Sequence, residues 1–204
     1  MWGGTTTNSV GDADCIFEGE AGNEQVGWWM ASAGDLDGDG LADVTMGVHT
    51  NDDGASNAGK AYLVLGAGPG SGGVFNLGDA DDHFIGENCD DDAGESLSSA
   101  GDIDGDGLLD VVIGAPGNDD GGDAAGKVYV MLGGNLGSTA GLPLSGADDK
   151  LIGGASLMST GSVLASASDL DGDGDGRSDV LVGAHANNDY ANRAGKAYLL
   201  LSGL

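Results

Sequence analysis

Three stretches of this chain place aspartates at alternate positions with glycine between them: DLDGDGLAD at 35–43, DIDGDGLLD at 102–110 and DLDGDGDGRSD at 169–179. Where a chain curls, alternate side chains turn inward together, and glycine permits the positive φ that a tight curl requires. The result is a ring of carboxylate oxygens suited to a hard cation. Calcium takes roughly six to eight oxygens at 2.3–2.6 Å in flexible geometry, whereas magnesium demands a strict octahedron and keeps its waters, so calcium fits better. In the first loop the expected ligands are Asp35, Asp37, Asp39, the carbonyl of Leu41, and Asp43 through both oxygens. In the second they are Asp102, Asp104, Asp106, the Leu108 carbonyl and Asp110. The third loop is two residues longer and offers two registers. A start at Asp169 puts Arg177 in the ninth position, where no ligand would exist. We therefore start at Asp171, with Asp173, Asp175, the Arg177 carbonyl and Asp179, and Asp169 left as a spare carboxylate nearby. Three Ca2+ sites per chain are expected. Plain solvated Asp-Gly turns are the alternative, but they do not account for three copies in one register, each ahead of an apolar run. Helix-flanked EF-hand and dockerin loops share the DxDGDG core. Here the following residues, VTMGV or VVIGA, are strand-like, and no glutamate stands at position 12 of an EF-hand.

The elements that must hold these loops repeat with them. Gly19, Gly86 and Gly153 recur at one constant interval, and Asp35, Asp102 and Asp169 recur at the same one. Gly59-Lys60-Ala61-Tyr62 returns as Gly126-Lys127-Val128-Tyr129 and Gly195-Lys196-Ala197-Tyr198, the second interval being longer because the third Asp-rich loop is. The repeats are about 1–67, 68–134 and 135–204. Within each, short runs rich in Val, Ile, Leu and Tyr are bounded by Gly, Asn and Asp, and none holds a helical period, so they read as strands. They are WWMASA, DVTMGV and AYLVLG in the first repeat, with equivalents in the others, preceded by a short piece such as Ile16-Phe17 or Phe84-Ile85. Four short strands per repeat predict an all-β chain of three four-stranded antiparallel sheets. The second and third strands are apolar on both faces, which radial stacking in a β-propeller would cover. The small residues Ala31, Ser32 and Ala33 and their equivalents would then lie where the sheets converge.

Composition closes off other classes. With 34 acidic against 6 basic residues, the formal charge is −28, which repels nucleic acid and anionic membranes. The 42 glycines follow no Gly-x-y triplet, so collagen is excluded. No transmembrane run is present, and residues 1–10 lack the basic start and apolar stretch of a signal peptide. Cys15 and Cys89 occupy different places in the repeat and are expected to be unpaired. No Ser-His-Asp or Cys-His arrangement stands out, and His49, His83 and His185 do not have metal-ligand spacing, so surface or loop roles are expected for them. No catalytic residue is assigned. Of Trp28 and Trp29, one is expected in the core.

The order of glycine-rich strand, DxDGDGxxD loop, apolar strand, Gly-Ala-Pro and Gly-Lys-x-Tyr resembles the FG-GAP repeats of integrin α-subunit β-propellers. Gly114-Ala115-Pro116 carries the second half of that name, Gly47-Val48-His49 and Gly183-Ala184-His185 are weakened copies, and the Phe of Phe-Gly is missing at Val26-Gly27, Ala93-Gly94 and Thr160-Gly161. The resemblance implies a noncatalytic, calcium-stabilised module for adhesion or protein–protein interaction in a secreted or cell-surface protein. It also leaves open a carbohydrate-binding lectin of the same propeller type, or an accessory domain of an extracellular enzyme. Ligands would bind on the face opposite the calcium loops, where the loops 49–58, 116–125 and 185–194 lie; His185, Tyr190 and Arg193 are their most recognition-like residues. It further implies that a sheet's outermost strand comes from the start of the next repeat: 80–86 would complete the first sheet and 147–153 the second. The piece at 13–19 is then left over and must close onto a last sheet. Three repeats fall short of the four to eight blades of known rings, which points to a homodimer completing a six-bladed ring; a fragment of a longer propeller is the alternative.

Overall fold

The computed structural model describes residues 10, 13–68, 73–137 and 141–202. In chain order the strands are β1 (Ile16–Glu18), β2 (Trp29–Gly34), β3 (Asp43–Val48), β4 (Lys60–Val64), β5 (Val74–Asn76), β6 (Asp82–Ile85) and β7 (Ser96–Gly101). They continue with β8 (Asp110–Ala115), β9 (Lys127–Met131), β10 (Leu142–Pro143), β11 (Asp149–Ile152), β12 (Thr160–Ser168), β13 (Asp179–Ala184) and β14 (Lys196–Leu200). Among the described residues the only helical pieces in this order are short 3-10 turns, and no helix is long and apolar enough to cross a membrane.

The strands form an antiparallel sheet β2-β3-β4-β6, a second β7-β8-β9-β11 and a third β12-β13-β14. The outer strands β6 and β11 belong by sequence to the following repeat. The third sheet therefore departs from the expected four strands: among the described residues β14 pairs only with β13. Two short parallel pairings were not anticipated. The strand β10 lies against β6, with Leu142 opposite Phe84, and β5 lies against β1, with Phe75 opposite Phe17. Both pairings have the same register, one repeat apart.

The sheets stack face to face, with the inner strands β2, β7 and β12 side by side. Leu63, Phe84, Leu97, Ile113 and Tyr129 fill the space between the first two sheets. Val112, Val128, Leu164 and Val182 fill the space between the second and third. A further cluster, Met46, Tyr62, Val64 and Leu77 with Phe17 and Phe75 against it, covers the far face of the first sheet. Each fully buried apolar side chain contributes about 1.5–3 kcal/mol, so stacking, not any one sheet, holds the fold. The stacking requires glycine at two positions. A Cβ on Gly47 would sit 1.9 Å from the Gly94 carbonyl oxygen, and one on Gly114 would sit 2.1 Å from that of Gly161. These are the Gly of the Gly-Ala-Pro element, or its weakened copy, in one sheet and the Gly at the beginning of the first strand of the next, just before β7 for Gly94 and within β12 for Gly161.

Buried lysines reinforce the stack. Lys60 pairs with Glu20 at 2.6 Å and Asp53 at 2.7 Å. Lys127 repeats this with Asp120 and with Glu87 at 3.5 Å. In the third repeat Gly154 stands where the glutamate would be, and among the described residues Lys196 pairs only with Asp189, at the surface. Cys15 and Cys89 are free. Trp29 is half-buried and donates from Nε1 to the Leu97 carbonyl at 2.8 Å, while Trp28 is exposed against His49. His83 differs from expectation: it lies within β6, its ring edge-on to Tyr62.

Candidate metal centre

Each Asp-rich loop joins the first two strands of its sheet, β2 to β3, β7 to β8 and β12 to β13. The three loops lie in a row at one end of the stack. A Cβ on Gly34 would strike Leu109 of the second loop, and one on Gly105 would lie 2.9 Å from Nε of Arg177 in the third. The Ser178 N–H donates to the Asp102 carbonyl at 2.8 Å, tying the third loop to the second. By sheet topology the 49–58, 116–125 and 185–194 connections emerge at the opposite end.

The curl is built from side-chain acceptors inside each loop. Asp37 Oδ1 accepts from the Asp39 N–H at 3.0 Å, Asp39 Oδ1 from the Leu41 N–H at 2.7 Å, and Asp35 Oδ2 from the Gly40 N–H at 3.0 Å. The second loop repeats all three, with Asp104, Asp106 and Asp102 accepting from Asp106, Leu108 and Gly107. Gly38 and Gly40, like Gly105 and Gly107, have φ between 76° and 92°, the left-handed region their positions demand.

Carboxylate oxygens of Asp35, Asp37 and Asp39 come within 4.8 Å of one another. So do those of Asp102, Asp104 and Asp110, and those of Asp169, Asp171 and Asp173. Asp43, Asp106, Asp175 and Asp179 lie outside these closest groupings while remaining in their loops. In the first group Asp35 Oδ1 is buried and has no hydrogen-bond partner. A buried carboxylate oxygen left bare among two other carboxylates fits a cation, since without one the site bears both desolvation and like-charge repulsion. The donor set is all oxygen, as calcium prefers.

The third loop combines both registers. Its beginning follows Asp169: Leu170 N–H donates to Asp179 Oδ2 at 2.7 Å, as Leu36 does to Asp43 and Ile103 to Asp110. Its end follows the Asp171 reading, because Arg177 packs beside Gly105 as Leu108 packs beside Gly38. The two extra residues fall between. Asp169, set aside as a spare carboxylate, therefore joins the cluster.

Sequence reasoning missed the second task of the ninth-position aspartate. Asp43 is fully buried; Oδ2 accepts from Leu36 N–H at 2.6 Å and Oδ1 from Gly66 N–H at 2.8 Å. Asp110 does the same with Ile103 at 2.7 Å and Gly133 at 2.8 Å. This clamp joins the loop's start to the end of the third strand. Burial raises the Asp110 pKa, with Asp104 and Asp102 adding to the rise and the two backbone donors opposing it. For Asp179, burial is outweighed by donors from Ser202, Leu170 and Asp171, which lower its pKa. The recurrence of aspartate before every second strand was the available signal, but its partners at Gly66 and Gly133 are distant in sequence.

Comparison with known proteins agrees with this architecture. A model of the FG-GAP repeat matches residues 26–64 and 93–131. Integrin alpha-PS2 of Drosophila melanogaster and integrin alpha-4 of Xenopus laevis are each 31% identical to the chain over 170 residues, 81% of its length. The chain spans only 12% and 15% of those relatives. It is thus an all-β chain of integrin-like FG-GAP repeats, the repeats of β-propellers.

Proposed function

We propose that this chain is a calcium-stabilised, integrin-like propeller module for adhesion or protein–protein interaction, noncatalytic, acting outside the cell or on its surface. Calcium occupies three sites, one per loop. The side-chain ligands are the clustered aspartates together with the remaining loop carboxylates, and the carbonyls of Leu41, Leu108 and Arg177 complete the shells. The observation that carries the reading is the buried, unpartnered Asp35 Oδ1 inside a loop motif that recurs twice more in the same row. The chain's own residues already hold each loop curled; the ion supplies the charge that lets four or five carboxylates share it. The module's partner in solution is a second copy, the two together making a six-bladed ring, and its ligand is a protein.

Titration calorimetry on chelator-treated protein tests the metal. Binding at three sites is expected, with a melting temperature that rises with calcium, each site adding about 2.7 kcal/mol of stability at a hundredfold excess over its Kd. Protein first shown to be calcium-loaded whose melting is unchanged by excess chelator would refute the reading.

A further inference from the structure

Among the described residues the third sheet leaves one apolar face uncovered, and the chain carries a piece that fits it. The face of the first sheet that carries Leu63, and the face of the second that carries Val112, are buried under the next sheet. The same face of the third sheet bears Val163, Leu181 and Leu199, exposed to 51, 37 and 41%. Leu36 and Ile103, second residues of their loops, pack into the two inter-sheet cores, while the equivalent Leu170 is exposed. A Cβ on Gly183 meets only its own sheet's Val163, and one on Gly27 meets nothing.

Ahead of each outer strand, a leucine plugs the sheet it joins. Leu77 packs with Tyr62 and Val64, and Leu144 with Tyr129 and Met131, both leucines fully buried. The third sheet has instead a cavity of about 290 Å3 beside Tyr198 and Leu200, lined also by Leu151, Ile152 and Met158. At the chain's other end, Val10 stands one repeat before Leu77 and is 93% exposed. The Ala13 N–H donates to its carbonyl at 3.3 Å, as Ala80 does to Leu77 and Ala147 to Leu144, both at 3.1 Å. Beyond it, β1 is held by β5 as β6 is held by β10, and its other edge pairs with no strand among the described residues.

We propose that Val10 and β1 of one copy complete the third sheet of a second copy, Val10 filling the cavity beside Tyr198 and Leu200 and β1 pairing antiparallel with β14. This rests on the homodimer reading above and fixes its register. By the pairing of β6 with β4, Glu18 lies opposite Lys196, Phe17 opposite Ala197, Ile16 opposite Tyr198 and Cys15 opposite Leu199. Asp14 reaches the Leu201 N–H, as Asp81 reaches Leu65 and Asp148 reaches Leu132, both at 2.8 Å. Lys196, which among the described residues pairs with Asp189, gains a second carboxylate across the strand. Because each copy offers one such unit and one such socket, the exchange is reciprocal and closes on a twofold axis. The arrangement of β1 on β5 needs no change to accept it.

The test uses the 204-residue chain. Light scattering in calcium should give twice the 19.9 kDa chain mass. Val10 is 93% exposed in the single chain, so Val10→Asp leaves that chain folded and should weaken dimerisation about tenfold or more. In a Cys89→Ser background, Leu199→Cys should form a disulfide with native Cys15 of the second copy on mild oxidation, identified by peptide mass. A monomer at all concentrations overturns the proposal. So does a dimer indifferent to Val10→Asp, or one that yields no such disulfide and is therefore built on another face or by another occupant of the socket. Calorimetry separates the two readings: calcium binding by a monomer sinks this proposal alone, and a dimer without calcium binding sinks the metal reading alone.

Discussion

Replacing Gly114 by alanine should loosen the joint between the second and third sheets. The added Cβ would lie 2.1 Å from the Gly161 carbonyl oxygen, which is backbone and has no rotamer to escape into. Ordinary van der Waals contact begins near 3.4 Å, so the sheets must part or twist to make room. Overpacking of this kind costs about 1–3 kcal/mol, and at this site the upper part of that range applies because backbone must move. Alanine also lowers the entropy of the unfolded chain, returning about 0.4–1 kcal/mol. A net loss of about 2 kcal/mol corresponds to a melting temperature lower by about 4–8 °C in a chain of this size. Gly47→Ala, with its Cβ 1.9 Å from the Gly94 carbonyl oxygen, should behave alike. Gly183→Ala is the control: it is the equivalent position of the third repeat, yet its Cβ meets nothing nearer than Val163 at 3.2 Å, within its own sheet. All three should be compared in a Val10→Asp background, so that no second copy covers Gly183. Calcium-saturated samples are melted by calorimetry. Equal melting temperatures for Gly114→Ala and Gly183→Ala would refute the claim that glycine is required there by sheet-to-sheet approach.

Lys127→Met should cost about 2–3 kcal/mol by urea titration, since it strands Asp120 and part of the Glu87 charge around a fully buried site. Lys196→Met, removing a pair that is open to solvent on both sides, should leave the urea midpoint nearly unmoved in the Val10→Asp background. Asp92 has its pKa raised to about 6, chiefly by burial and further by Glu95, Asp90 and Asp91. The folded state therefore holds this proton longer than the unfolded one, and stability falls as pH rises from the ordinary carboxylate range through about 6. Asp92→Asn should stabilise the protein at pH 7 by up to about 2 kcal/mol after allowance for solvent screening, and by nothing near pH 3, read by denaturation at the two pH values. Its φ of 56° suits asparagine. Trp29→Phe removes the hydrogen bond to the Leu97 carbonyl and should cost about 1 kcal/mol, read by chemical denaturation.

Local pattern reached the strands and the loops because both are written in adjacent residues. DVTMGV, DVVIGA and DVLVGA coincide with β3, β8 and β13 residue for residue, and the strands after them begin at the lysine of Gly-Lys-x-Tyr, one residue earlier than the apolar runs suggest. The phase of the outer strands β6 and β11 came from the family resemblance, not from local pattern. Beyond its reach lay what depends on residues meeting across the stack. The burial of Lys60 and Lys127 depends on Glu20 and Glu87, far upstream of them in the sequence, being brought to them. The clamp made by Asp43 and Asp110 needs Gly66 and Gly133, and the parallel pairs β1-β5 and β6-β10 are too short to signal themselves. In the third loop, sequence forced a choice of register, whereas backbone absorbs two extra residues and lets Asp169 and Asp179 both keep their places.

The differences among the repeats carry as much meaning as their likeness. A stack of repeats that simply stops must present a polar outer face, because each unit buries its apolar surface only against a neighbour. The third sheet does the opposite: its outward residues are Val163, Leu181 and Leu199, chosen as if another sheet followed. Of the carboxylates around the lysine in the first two repeats, the third keeps only the equivalent of Asp53 and Asp120, namely Asp189. Gly154 replaces Glu20 and Glu87, and Met158 replaces Glu24 and Asp91, which leaves the buried Asn187 Nδ2 without the acceptor that Asn51 and Asn118 have. Loss of charge beside an apolar cavity lowers the desolvation cost of filling it. On the opposite side, the first sheet's outer face is shielded by Phe17 and Phe75, and β1 has one edge that pairs with no strand among the described residues. The third sheet thus has the features of a socket and β1 those of a plug, the complementarity that the proposed pairing of two copies requires.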